Sequence, residues 1–96
     1  MATFERVYEK NVQDWVSINT LSSVTVGEAF ILQNNNIGTV LVSESTSKPA
    51  LDDSKYLKLY NITYGILSVL SISENSLQIW VRPEELGDDL NISVQG

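Results

Sequence analysis

Residues 29–44 read AFILQNNNIGTVLVSE, and this stretch decides the fold class. Its first five residues form a short, largely apolar run that is too short for a helix and suits a strand buried on both faces. Residues 39–44 are again rich in β-branched side chains, and the Asn and Gly residues between the two runs tolerate a positive φ. The pattern predicts a β-hairpin at the centre of the chain.

The sequence on either side continues this pattern. Residues 66–72 and 77–82 are two further apolar runs, and the four polar residues between them predict a second hairpin. Residues 90–95 alternate apolar and polar side chains, as a strand buried on one face does. Short strands with turn signals at intervals of about 8 to 12 residues are typical of all-β folds. We predict a single small β-sandwich or jelly-roll-like barrel of about seven to eight short antiparallel strands.

The 96 residues suffice for one domain and not for two. We interpret residues 1–10 as an extended N-terminal arm and residues 11–96 as the β-sandwich domain. Residues 3–8 alternate weakly, which leaves a strand as the alternative to an arm that becomes ordered only on docking.

The composition excludes several classes of function. The chain has no histidine and no cysteine, so the commonest general base and thiol chemistry are missing, and we expect no enzyme activity and no cofactor. A net charge of −6 opposes binding to nucleic acid and to anionic membranes. No apolar stretch approaches the roughly 18 residues of a membrane span, so we expect no membrane partner.

Three pairs of neighbouring carboxylates raise the question of calcium, which prefers six to eight oxygen ligands from loops. They lie at residues 52–53, 84–85 and 88–89. None of them follows the spacing of an EF-hand loop, and acidic loops are commonly solvated turns. We therefore predict no metal site.

The aromatic residues are the best candidates for a contact surface. A strand over residues 56–64 places Tyr56, Lys58, Tyr60 and Tyr64 on one face, and tyrosine is enriched at protein interfaces. Such a strip also suits a sugar ring, which stacks on exposed aromatic faces. We expect Trp80, between apolar neighbours, to be core, and Trp15 to be half-buried at an edge. The predicted interface candidates are Tyr56, Lys58, Tyr60, Tyr64, Trp15 and Phe4.

A family resemblance sharpens this interpretation. Residues 26–36 (VGEAFILQNNN), residues 38–45 (GTVLVSES) and the Lys48-Pro49 pair resemble small virion proteins of tailed bacteriophages. These proteins often carry a Gly-x-x-Phe-x-Ile-Gln-Asn strand, a hairpin and a Val-x-Val-Ser-Glu-Ser strand that leads into a proline-containing loop. Residues 79–82 (IWVR) and the final alternating strand are similar to the C-terminal part of the same family.

The resemblance implies a structural protein of the virion, assembled in the host cytoplasm. Capsid decoration, with the major capsid protein or another virion protein as partner, is the expected role, and a homotrimer is the expected oligomer. The alternatives are a tail or fibre adaptor and a carbohydrate-binding module for attachment to the host surface.

Overall fold

Two four-stranded antiparallel sheets form the protein, as shown by a computed structural model that describes residues 4–22, 24–36, 38–60, 68–72 and 77–95. The first sheet has the order Phe4–Glu9 (β1), Leu90–Gln95 (β8), Phe30–Asn34 (β3) and Val69–Ile72 (β6). The second has the order Val16–Ser17 (β2), Gln78–Pro83 (β7), Val40–Ser45 (β4) and Leu57–Leu59 (β5). The prediction of a small all-β sandwich is confirmed.

The pairing follows a simple rule. Strand β1 pairs with β8, β2 with β7, β3 with β6 and β4 with β5, all antiparallel. The first four strands thus pair with the last four in reverse order, as in one long hairpin. Successive pairs belong alternately to the first and the second sheet. The contacts β3–β8 and β4–β7 then join the pairs within each sheet. This connectivity is that of a jelly roll, which contains two Greek keys.

The core lies between the sheets and is built from alternate positions of each strand. In β8, Leu90, Ile92 and Val94 face inward, as predicted, and are almost completely buried. Phe30 and Leu32 of β3 lie beside them in the same sheet, and their neighbour Ile31 points to solvent. The expectation that this strand is buried on both faces is therefore wrong: its outer face is not covered by another layer. The other core residues include Val7, Ile18, Val40, Val42, Leu59, Ile72, Ile79 and Val81.

Neither predicted hairpin forms. Strands β3 and β4 lie in opposite sheets, and so do β6 and β7. Local sequence identified most of these strands because it contains the β-branched runs that form strands and the turn-forming residues that end them. The partner of each strand is decided instead by how two apolar faces are buried against each other.

Residues 4–9 belong to the first sheet, so the strand alternative is the one the structure contains. Strand β1 pairs with β8 along its whole length, from Phe4 opposite Gln95 to Glu9 opposite Leu90. Its Val7 side chain is buried in the core. Farther along, Ser17 caps the single helical turn Ile18–Leu21 (α1), because its side chain accepts a hydrogen bond from the Thr20 amide. No helix among the described residues is long and apolar enough to cross a membrane.

Candidate functional site

Two of the predicted tyrosines, Tyr56 and Tyr60, lie directly before and after β5. Leu59 points into the core, whereas Lys58 points outward and its Nζ lies 3.0 Å from the Glu84 carboxylate. The hydrogen bond to Glu84 raises the pKa of Lys58, and the nearby Tyr56 and Tyr60 also raise it slightly. Tyr60 is 39% exposed. We call Tyr56, Lys58 and Tyr60 the tyrosine strip.

Two other predicted candidates, Phe4 and Trp15, are not part of this strip. Phe4 begins β1, at the far edge of the opposite sheet, and its side chain is outside the described part. Trp15 is only 3% exposed, so it is not a contact residue at the surface, and Trp80 is the more exposed of the two tryptophans. The expected burial of the two tryptophans is therefore reversed. Tyr64 lies outside the described residues.

Trp15 is covered by the segment 46–56 that connects β4 to β5. Its Nε1 donates a hydrogen bond to the Ala50 carbonyl at 3.1 Å. The Arg82 guanidinium lies 5.2 Å from the centre of the indole ring, in a cation–π contact, and Arg82 Nη2 reaches the Leu51 carbonyl at 3.5 Å. Leu41, on the outer face of β4, is also buried although it lies outside the main core.

Two further contacts hold the segment 46–56 in place. The Ser43 hydroxyl donates to the Lys55 carbonyl at 3.1 Å, and Lys48 Nζ lies 2.7 Å from an Asp14 carboxylate oxygen. The Lys48 hydrogen bond, with a second from the Trp15 amide, lowers the pKa of Asp14. The segment thus forms a fixed outer layer on the second sheet.

A concave surface lies at one end of the sandwich, where three connections meet. It is an open cleft of about 610 Å³, and we call it the end cleft. Residues of the connections β3–β4 and β7–β8 line it, together with one residue each of β1 and β8. The β1–β2 connection is hydrogen-bonded to the β7–β8 connection beside it. Its lining is mostly polar: Tyr8, Asn35, Asn36, Gly38, Gly87, Asp88, Asp89 and Asn91.

Backbone hydrogen bonds fasten these connections to one another. The Val12 amide donates to the Asp88 carbonyl at 3.0 Å, and the Gly87 amide donates to the Val12 carbonyl at 2.7 Å. The Asn35 amide donates to the Asn91 carbonyl at 2.9 Å. Gly87 has a φ of 97°, which an L side chain rarely adopts, so this position favours glycine. The walls of the end cleft are therefore held in place before any ligand arrives.

Asp89 joins three parts of the end cleft. Its carboxylate accepts the Tyr8 hydroxyl and the Asn11 amide, each at 3.0 Å, and its carbonyl accepts the Asn36 side-chain amide at 2.9 Å. The hydrogen bond from the Asn11 amide, followed by that from Tyr8, lowers the pKa of Asp89. The same carboxylate raises the pKa of Tyr8. Asp89 is thus ionised in the native state at neutral pH.

Replacing Asp89 with asparagine is expected to weaken the dependence of the free energy of unfolding on pH in the acidic range. Because the native pKa is lowered, the ionised carboxylate stabilises the fold above the ordinary carboxyl pKa, and that contribution disappears as pH falls through the native value. The variant should therefore be less stable than the parent near pH 7 and closer to it below about pH 3. Urea unfolding across this range measures the difference. Asp52→Asn, which removes the same charge from an exposed turn, serves as control, and equal curves for both variants would contradict the assignment.

The end cleft was not predicted from the sequence. It identified the Asn residues at 34–36 as turn formers and Asp88 and Asp89 as solvated acids, and both interpretations are local. Tyr8 stood in the predicted arm. The available signal was the clustering of amide side chains in the connections, but only the fold shows that these connections meet. Among the described residues, no group of three or more acidic side chains converges in a way that would hold a metal ion.

Comparison of the chain with models of known protein families, with curated proteins and with solved structures finds no match.

Proposed function

We propose that the protein is a non-enzymatic structural protein of a tailed-bacteriophage virion, and that it decorates the capsid by binding the major capsid lattice. Its expected state is a homotrimer, assembled in the host cytoplasm. The proposal combines the family resemblance of residues 26–45 with the surface that this fold presents.

The observation that carries the proposal is the position of the tyrosine strip. Lys58 belongs to β5, and Tyr56 and Tyr60 lie directly before and after this strand, which is the last of its sheet among the described residues. Tyrosine combines a large apolar ring with a polar tip, so it contributes contact area at low conformational cost. A strip at a sheet edge is accessible to a second subunit or to a flat lattice. The ion pair between Lys58 of the strip and Glu84 is half-exposed and contributes little to folding, so both charges are available for re-pairing at an interface.

The remaining features suit a protein of high copy number. The jelly roll is an architecture that capsid and lectin domains share, so it supports either a lattice role or a recognition role. The net charge of −6 keeps free copies apart and away from packaged DNA. The outer layer formed by residues 46–56 gives the second sheet a rigid surface for contact.

The solution mass of the purified protein tests the trimer and the role of the strip. Light scattering over a range of concentrations should give a stable mass near three times 10.7 kDa. The double variant Tyr56→Ser, Tyr60→Ser should give a folded monomer, because it removes the aromatic contact area. Tyr8→Ser, which changes an exposed tyrosine of the other sheet, should remain trimeric. A parent protein that is monomeric throughout, or a double variant that stays trimeric, would overturn this use of the strip.

Virion membership requires a separate measurement. Mass spectrometry of gradient-purified phage particles from the source of the sequence should detect the chain in heads, at a copy number comparable to that of the major capsid protein. Detection only in tails would favour the adaptor alternative instead. Absence from particles would overturn the proposal.

A further inference from the structure

The end cleft carries an inference that is independent of the virion assignment. We propose that it binds a neutral saccharide, such as the terminal residue of a glycan. The site is separate from the tyrosine strip, which lies on the other sheet.

The size and rigidity of the end cleft suit a small ligand. Its volume of about 610 Å³ lies within the range of small-molecule sites, roughly 300 to 1,000 Å³. The three connections around it are cross-linked by the backbone hydrogen bonds described above and by Asp89. Because these groups are already ordered, binding does not carry the cost of ordering a loop. Gly38 and Gly87 place no side chain in the cleft, which keeps it open.

The lining matches the chemistry of a sugar hydroxyl, which both donates and accepts hydrogen bonds. Amide side chains supply donors and acceptors together, and three of them line the cleft, at Asn35, Asn36 and Asn91. The Asp88 carboxylate accepts no hydrogen bond from any described residue, so it is available to a ligand hydroxyl. The Oδ1 atom of Asn91 is buried and has no partner in the described part of the chain, so it is not counted among the groups that a ligand reaches.

Tyr8 supplies the apolar element that sugar recognition needs. Its hydroxyl is bonded to Asp89, which fixes the ring, while the side chain remains 50% exposed at the wall of the cleft. A pyranose ring has an apolar face of C–H groups, and that face can stack on an aromatic ring while the hydroxyls reach the amides. The cleft thus contains an aromatic ring together with amide and carboxylate groups, which provide both kinds of contact.

The charge of the end cleft selects among ligand classes. Two aspartates line it, and no lysine or arginine is among its lining residues, so phosphates, nucleic acids and acidic sugars are repelled. Lys10 acts on Asp89 only as the smallest of the influences on its pKa, so one nearby cation faces two carboxylates. A purely apolar ligand would leave the amides and carboxylates without partners, which is costly. A neutral, hydroxyl-rich ligand avoids both penalties.

Nuclear magnetic resonance tests the proposal directly, because side-chain amides give their own signals. Titration of ¹⁵N-labelled protein with glucose, galactose, mannose and N-acetylglucosamine should shift the side-chain amide signals of Asn35 and Asn36. We expect saturation with at least one of these sugars, at a Kd of about 1 to 10 mM. Glucuronate and inorganic phosphate, titrated in the same way, should not saturate.

Two matched variants assign the binding to the end cleft. Asp88→Ala removes a carboxylate that has no described partner, so the fold should persist, and affinity for the bound sugar should fall at least about tenfold. Asp52→Ala removes the same group from an exposed turn and should leave affinity unchanged. The proposal is overturned if none of the four sugars shifts these signals up to about 100 mM. It is equally overturned if the shifts fall only on the tyrosine strip, if glucuronate or phosphate binds as tightly as the sugars, or if the two variants behave alike.

Discussion

Trp15→Ala is expected to lower the free energy of unfolding by about 3 to 5 kcal/mol, the range for removing a large buried aromatic side chain. The indole is 3% exposed and fills the space between the second sheet and the segment 46–56. Its loss also removes the hydrogen bond to Ala50 and the ring on which Arg82 rests. Because small domains are stable by only about 5 to 15 kcal/mol, the melting temperature should fall by about 15 °C or more.

Trp80→Ala is the matched control for this prediction. Trp80 also donates its Nε1 hydrogen to a carbonyl, that of Ser45 at 3.0 Å, but it is only partly buried. Thermal and urea unfolding of the two variants compare the same chemical change at two depths, and Trp15→Ala should be the more damaging by at least about 1 kcal/mol. Equal losses would mean that the segment 46–56 does not cover Trp15 in solution. Tryptophan emission offers a second readout, since a Trp80→Phe protein should retain the blue-shifted emission of a buried indole.

Asn34→Asp is expected to destabilise the protein by at least about 3 kcal/mol at neutral pH, although the side chain keeps its shape. Asn34 is fully buried at the end of β3. Its Nδ2 donates to the carbonyls of Gly38, Leu59 and Tyr60, at 2.9, 2.8 and 3.1 Å. A carboxylate at this position would place a hydrogen-bond acceptor against three carbonyl oxygens, which are also acceptors. Each buried polar group left without a partner lowers the free energy of unfolding by about 1 to 3 kcal/mol.

The effect of this substitution should depend on pH with a defined sign. A buried carboxyl among carbonyl oxygens favours its protonated form, which retains one donor. The native state then binds a proton that the unfolded state releases above about pH 4, so the deficit relative to the parent should grow as pH rises. Urea unfolding near pH 4 and near pH 7 measures this growth, and a deficit independent of pH would contradict it.

Asn35→Asp is the matched control at the neighbouring residue. The Asn35 side chain donates to the Ser93 hydroxyl at 2.6 Å, and that hydroxyl can turn and donate to a carboxylate instead. Its cost should therefore stay below about 1 kcal/mol. If both variants lost the same stability, the three-carbonyl contact of Asn34 could not be the reason.

The hydrogen-bond partners of Asn34 could not be predicted from the sequence. Its position in a run of three asparagines predicts a turn, and the chain does leave β3 there. The Leu59 and Tyr60 carbonyls that it binds are 25 and 26 residues away, at the end of β5 in the other sheet. A turn residue and a bridge between sheets have the same local sequence, because the partner is supplied by the fold.

The burial of the two tryptophans also depends on a segment that is distant in the sequence. Apolar neighbours in sequence predicted a buried Trp80, and a polar neighbour predicted a half-exposed Trp15. Trp80 alternates with the core residues Ile79 and Val81 and therefore points to the outer face of the second sheet, and Trp15 lies against Arg82 of the same strand. Burial there depends on what lies above the sheet. The segment 46–56 crosses over Trp15 and leaves Trp80 partly uncovered. Nothing in the residues adjacent to either tryptophan records that crossing.

The sequence by itself determined that this protein is a small all-β sandwich, because β-branched runs, alternation and turn residues are local signals with a direct physical cause. It also determined the inward face of β8 and the outward position of Lys58, since successive side chains of a strand point to opposite faces of the sheet. Only the tertiary structure decided which strands pair, that residues 4–9 complete a sheet, and that the distant connections β3–β4 and β7–β8 meet at the end cleft. These features depend on contacts between segments far apart in the chain, where burial of apolar faces outweighs local preference.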